Sequence, residues 1–125
     1  LIHTCYRVLD PDASVAFYEK LGFEVLHRMP IRDEATNVFM GLPGDGPRLE
    51  LTFNHGVTDA YELGTGYGHI ALAVDDAYAA CDAIRQRGGR VTREAGPMKG
   101  GSTVIAFVQD PDGYKIELIE SRPGR

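Results

Sequence analysis

Four residues have the side chains and the spacing to hold a divalent metal ion: His3 and Glu50, then His69 and Glu117. Two imidazoles and two carboxylates make a mixed N2O2 donor set. Such a set suits borderline ions such as Ni, Co, Zn, Mn or Fe(II) and leaves positions open for water or substrate. Alone, each residue has a plainer reading. His69 heads the apolar run Ile70, Ala71, Leu72, Ala73, Val74, where a histidine is ordinarily a satisfied core or strand-end residue. A single strand glutamate ordinarily faces solvent. An internal repeat is what links the four. "HTCYRVLDPDASVAFYEKLGFEV" from His3 matches "HIALAVDDAYAACDAIRQRGGRV" from His69 at an offset of 66. "GDGPRLEL" at 44–51 matches "PDGYKIEL" at 111–118 at an offset of 67, which carries Glu50 onto Glu117.

The elements that must position these residues follow the same repeat. Each half opens with an alternating strand, 2–9 and 68–75. A helix follows. Asp10 can cap the first, Pro11 suits its first position, and Val15, Tyr18 and Leu21 mark one face. Gly22 suits a left-handed stop. Asp75 or Asp76 can cap the second helix, Ala77, Ala80, Cys81 and Ile84 form its face, and Gly88-Gly89 ends it. Strands are expected near 23–29, 37–41 and 48–54, then near 90–94, 103–109 and 114–120. "PGDGP" and "DPDG" close the last two strands of each half as hairpins. The fold class is therefore α+β: two tandem βαβββ modules, about 1–58 and about 66–121, each a curved mixed sheet with its helix outside.

Strand alternation then sorts side chains by face. His3, Cys5 and Arg7 share one face, as do His69, Ala71 and Ala73. Glu50, Thr52 and Asn54 share a face, as do Lys115, Glu117 and Ile119, while Leu49, Leu51, Phe53, Ile116 and Leu118 go under the helices. Each module thus places one histidine and one glutamate on its concave face. An inward carboxylate without a partner is expensive to bury, and a shared metal ion resolves that cost.

Composition narrows the functional classes. The 125 residues suffice for one domain with a real core. A 43% hydrophobic and 25% charged chain is globular rather than disordered. The net charge of −5 argues against a nucleic-acid surface. No apolar run approaches the roughly 20 residues of a membrane span, and no signal peptide is recognisable. Cys5 and Cys81 lack CxxC spacing and read as small buried residues in a reducing compartment, so a cytoplasmic location without disulfides is expected.

With these residues on the page, "HTCYRVLD", "LELTFNHGV", "YELGTGYGHIALAVDD" and "VTREAGPMKGGSTVIAFVQDPDGYKIELIE" strongly resemble glyoxalase I (lactoylglutathione lyase), a family of the vicinal oxygen chelate superfamily. The resemblance covers nearly the whole chain, is densest over 49–120 and is weakest over 26–47. It implies a single glyoxalase-type domain over 1–125 and a homodimer with active sites at the subunit interface. His3 and Glu50 would come from one subunit, His69 and Glu117 from its partner. It also implies a substrate, the hemithioacetal of methylglyoxal and glutathione, and a product, S-lactoylglutathione, in methylglyoxal detoxification. That reaction moves a proton from C1 to C2 through an enediolate, whose charge a divalent metal can neutralise. Glu117 is expected as the main proton acceptor and donor, with Glu50 exchanging protons on the opposite side. Arg7, Asn54 and Lys99 match the family's groups for glutathione, with Arg93 assisting, and Gly96, Gly100 and Gly101 suit a movable loop around Lys99. "GPMKGGST" lacks the GxxxxGK[ST] pattern of a phosphate loop. Thr65 and His55 depart from common family residues, and His27 and His55 read as solvent-facing or loop residues. The short, bacterial-type length favours nickel, with zinc or cobalt as alternatives.

Other chemistries share such a fold. An extradiol dioxygenase or a fosfomycin-type thiol transferase needs three ligands, which leaves Glu50 surplus. A methylmalonyl-CoA epimerase matches less well around Asn54 and Lys99. A bleomycin-sequestering relative needs no ligand set at all.

Overall fold

The computed structural model describes residues 1–87 and 89–121. The chain divides into two compact units, Leu1–Glu62 and Leu63–Arg125. In the first, β1 (Thr4–Arg7) leads to α1 (Pro11–Glu19), then β2 (Glu24–Ile31), β3 (Ala35–Gly41) and β4 (Leu49–Asn54). In the second, β5 (Ile70–Val74) leads to α2 (Ala77–Gln86), β6 (Arg90–Pro97), β7 (Val104–Gln109) and β8 (Lys115–Glu120). Each unit is one βαβββ module with a four-stranded mixed sheet, ordered β1-β4-β3-β2 and β5-β8-β7-β6. The pairs β1–β4 and β5–β8 are parallel, and the other neighbours are antiparallel. No helix among the described residues is long and apolar enough to cross a membrane.

The helices form for local reasons. Asp10 accepts bonds from the amides of Asp12 and Ala13 at 3.1 and 3.2 Å, with Pro11 at the first helical position. Past the end of α1, Gly22 has φ +96°, a conformation that costs glycine little. Between the two candidate caps of α2 the structure selects Asp76, which accepts from Ala79 N at 3.0 Å. The same helix start has a second anchor. Glu120, at the end of β8 and buried, accepts the amide of Ala77 at 3.0 Å. A carboxylate against a helix N-terminus is favourable both as a hydrogen-bond acceptor and through the helix dipole. Gly88 lies outside the described residues. Gly89 donates to Ile84 O, and a Cβ there would come within 2.5 Å of the Ile84 side chain, so the chain turns under the helix only with glycine.

Under α1 lie Tyr6, Val8, Val38, Met40, Leu49 and Leu51, which meet Val15, Phe17, Tyr18 and Leu21. Under α2 lie Val108, Ile116 and Leu118, which meet Ala77, Cys81 and Ile84. Burial pushes the Cys81 thiol up from its usual range, and Arg85 pairs with Glu94 of β6. Cys5 is exposed, contrary to the expectation that both cysteines are buried. It lies on the open face of β1, where alternation turns it away from the buried Tyr6. Phe53 is half-buried rather than fully covered.

Strand ends differ from the sequence reading in one consistent way. β2 runs through Pro30 to Ile31 and β6 runs to Pro97, both beyond their expected ends. Both are edge strands, where a missing N–H breaks no ladder bond. The β2–β3 turn is correspondingly tight, with Glu34 N bonded to Ile31 O at 3.1 Å and Arg32 at φ +48°. β1 and β5 start later than expected, at Thr4 and Ile70, so His3 and His69 each stand one residue before a strand.

Removing the Glu120 carboxylate leaves the buried Ala77 amide without its acceptor. Glu120→Ala is expected to lower unfolding stability in urea by about 1–3 kcal/mol, whereas Asp10→Ala at the exposed cap costs about 1 kcal/mol.

Candidate metal centre

Residues opposed in a sheet register carry their side chains on the same face. In the first sheet, Glu50 is opposed by Cys5 on one side and Phe39 on the other, and Phe39 by His27. One row therefore reads Cys5, Glu50, Phe39, His27 across all four strands. In the second sheet the equivalent row reads Ala71, Glu117, Phe107, Arg93. The flanking positions on β4 and β8, namely Leu49, Leu51, Ile116 and Leu118, are buried on the helix side. Both rows reach their outer residue through a β-bulge, between Val25 and His27 and between Val91 and Arg93. Each bulge restores to the row a residue that strict alternation would misplace.

Each row brings its glutamate to its histidine. His3 Nε2 lies 2.8 Å from Glu50 Oε2, and His69 Nε2 lies 3.2 Å from Glu117 Oε1. The histidines are about one-third exposed, at 36% and 39%, and the glutamates are largely covered, at 15% and 16%. Each pair is therefore fixed on its carboxylate side and open on its imidazole side. Within each unit the grouping stops at two, and among the described residues no cluster of three or more His, Cys, Asp or Glu is gathered.

The pairs have the chemistry and spacing of metal ligands. Two donors at about 2.1 Å from one ion stand about 3.0 Å apart at the right angles of a six-coordinate site and about 3.4 Å apart in a tetrahedral one. The separations of 2.8 and 3.2 Å bracket the six-coordinate spacing. With its proton in place, Nε2–H donates to the carboxylate. Once deprotonated, both atoms present lone pairs to the same region. The residues present fit a divalent ion.

The other expected site residues are placed as follows. Arg7 is exposed on the ligand face of β1, two positions beyond Cys5. Asn54 ends β4 on the face of Glu50 and donates to the Tyr61 hydroxyl at 3.3 Å. Lys99 is exposed in the turn between β6 and β7, which is closed by Met98 N to Thr103 O at 2.8 Å and Gly101 N to Met98 O at 3.0 Å. Arg93 is engaged with the backbone around its loop. Its guanidinium donates to the carbonyls of Glu94, Gly96, Ile105 and Pro97 at 2.9–3.2 Å and so ties the bulged end of β6 to β7. His55 closes the β2–β3 turn. Its Nδ1 donates to Asp33 O and its Nε2 accepts from the Thr36 hydroxyl, both at 3.0 Å. His27 is exposed and stacks on Phe39 at 4.5 Å.

Two features escaped the sequence reading. Phe39 and Phe107 stand beside the glutamates in both rows. A polar chain runs from the Cys5 thiol to Thr52 Oγ1 at 3.4 Å and on to the buried Asn37 Oδ1 at 2.8 Å. For the phenylalanines a signal existed: "VFMG" and "AFVQ" occupy matching places in the repeat, one residue out of step with the glutamates.

Comparison with known proteins follows the same lines. Residues 1–118 match the Glyoxalase/Bleomycin resistance protein/Dioxygenase superfamily. The chain is 56% identical to a lactoylglutathione lyase of Escherichia coli O157:H7, over 98% of this chain and 93% of that one. It superposes on glyoxalase I from Zea mays with a TM-score of 0.86 and 48% identity, covering 97% of this chain but 44% of the maize chain. It also superposes on the trypanothione-dependent glyoxalase I of Leishmania major, with a TM-score of 0.81, 40% identity, and coverage of 95% and 84%.

The Arg93 clamp has a direct test. Lysine offers one ammonium in place of a planar fork and cannot serve four carbonyls. Arg93→Lys is expected to cost about 1–3 kcal/mol in urea unfolding.

Proposed function

The chain belongs to the Glyoxalase/Bleomycin resistance protein/Dioxygenase superfamily, and from that premise we propose that it acts as a lactoylglutathione lyase. It isomerises the hemithioacetal of methylglyoxal and glutathione to S-lactoylglutathione. The observation that carries the reading is the duplicated His–Glu pair, with each glutamate in the same row of its sheet and each histidine just before the first strand of its module, in a chain 56% identical to a bacterial lactoylglutathione lyase.

His3, Glu50, His69 and Glu117 would hold the ion. The working unit is a homodimer, in which His3 and Glu50 of one subunit share a centre with His69 and Glu117 of the partner subunit. When bound, a divalent ion, nickel first with zinc or cobalt as alternatives, supplies Lewis-acid stabilisation of the charge that develops on the substrate oxygens. The proton steps belong to the carboxylates. The C1–H bond breaks, its proton passes to Glu117, and the electron pair enters the enediolate. Glu117 returns the proton to C2, the remaining hydroxyl proton leaves C1 oxygen for C2 oxygen, and no net oxidation occurs. Glu50 exchanges protons from the opposite side for the other stereochemistry. The open sides of the imidazoles leave room for substrate, and Ala71 and Ala73 keep the second face low beside Glu117.

Arg7, Asn54 and Lys99 bind the carboxylate and amide groups of glutathione. Arg93 supports Lys99 from the base of its loop through the four carbonyls it ties. A cytoplasmic setting, where low-molecular-weight thiols are reduced, fits such a co-substrate. The three-ligand chemistries of this fold would leave one of the two carboxylates idle, although the rows place both alike.

Chelated protein re-supplied with Ni, Co or Zn is expected to regain hemithioacetal isomerase activity at one ion per two-histidine, two-glutamate centre, with nickel the most effective. Glu117→Gln is expected to lose about 10²–10⁴-fold in kcat while retaining metal. Full activity in that variant, or in metal-free protein, sinks the assignment. Arg7→Ala and Asn54→Ala should raise KM for the glutathione adduct more than they lower kcat. Replacing glutathione by trypanothione in the same assay separates the two thiols.

A further inference from the structure

We infer that Phe39 and Phe107 are positioning residues for the centre: each braces one ligand histidine edge-on and holds its Nε2 against the neighbouring glutamate before an ion arrives. His69 meets Phe107 with ring centroids 5.1 Å apart and planes at 81°. His3 meets Phe39 at 6.1 Å, also at 81°. Both contacts lie in the range where edge-to-face aromatic pairs attract. This inference rests on the metal reading above.

Four observations carry it. The two contacts arise independently in two units, at the same angle and in the same row. Each phenylalanine is half-buried on the sheet face away from the helix, between buried neighbours: Val38 and Met40 for Phe39, Ala106 and Val108 for Phe107. The core therefore does not require a phenyl ring at either place. Each histidine stands one residue before its strand, so the ladder itself does not fix the ring. Metal-bound histidines are usually oriented by a hydrogen bond from the second ring nitrogen. Here, among the described residues, only Nε2 of either ring has a polar protein partner. The perpendicular phenyl ring supplies the orientation instead. In the first unit the brace is itself held, because His27 stacks on Phe39 at 4.5 Å with planes at 17°.

The test is metal affinity, read apart from turnover. Ni(II) affinity of the full-length protein is measured by competition with a chromophoric chelator, and the Co(II) d–d absorption band reports ligand geometry. Phe107→Leu and Phe39→Leu keep apolar bulk but remove the ring edge. Each is expected to weaken Ni(II) binding by about two- to tenfold and to shift or broaden the Co(II) band. Phe107→Tyr and Phe39→Tyr keep the ring and should bind as the native chain does. Leucine variants with native affinity and an unchanged Co(II) band overturn the inference, as do tyrosine variants as weak as leucine. Should one leucine variant fail to fold, the pair in the other unit decides, since each unit carries its own brace. A native chain that binds neither ion overturns the metal reading itself, an outcome distinct from native binding that ignores the rings.

Discussion

The register of the two parallel strand pairs, β1–β4 and β5–β8, is the constraint on which the rest depends. Along β4 the sequence Leu49, Glu50, Leu51 alternates between core and open face, and along β8 Ile116, Glu117, Leu118 does the same. A slip of one residue would drive a carboxylate under the helix and bring two large aliphatic side chains into water. Each misplaced aliphatic side chain alone would cost about 1.5–3 kcal/mol, before the far larger penalty for an unpaired buried charge. The hydrophobic core therefore aims the glutamates. Their position opposite Cys5 and Ala71 needs no specific polar contact to enforce it.

Duplication copied this aiming device more faithfully than it copied its supports. Cys5 has become Ala71 and His27 has become Arg93, yet the bulges that bring the outer residues into line recur in both sheets. Helix starts differ more. At α1 Asp10 accepts from two amides, whereas at α2 Asp76 and the buried Glu120 each accept from one. The repeat partner of Glu120 is Phe53, half-buried and tilted against His55. The histidine–glutamate geometry thus survives changes in nearly everything that flanks it.

Much of this was legible in the sequence because it rests on periods of two and 3.6. Alternation around Glu50 and Glu117, the caps at Asp10 and Asp76, and the glycine stop at Gly22 each depend on residues within one turn or one strand. What was not legible depends on which strands become neighbours. Pro30 and Pro97 look like strand breakers until β2 and β6 prove to be edges. That the guanidinium of Arg93 would tie four backbone carbonyls depends on the bulge and on β7 beside it. Alternation puts Glu120 on the helix side with Ile116 and Leu118, but only the pairing of β8 with β5 shows that it ends at the start of α2. Phe39 and Phe107 are ordinary apolar strand residues until cross-strand register sets them beside the glutamates.

The same register explains why each unit brings together one carboxylate and one imidazole. A four-stranded row has four places. In the first sheet they are filled by Cys5, Glu50, Phe39 and His27, and in the second by Ala71, Glu117, Phe107 and Arg93. Each row contributes one carboxylate, and the residue preceding the first strand adds one imidazole. Duplication of the module therefore does more than enlarge the core. It furnishes a second histidine and a second carboxylate, paired within the second unit as the first two are within the first.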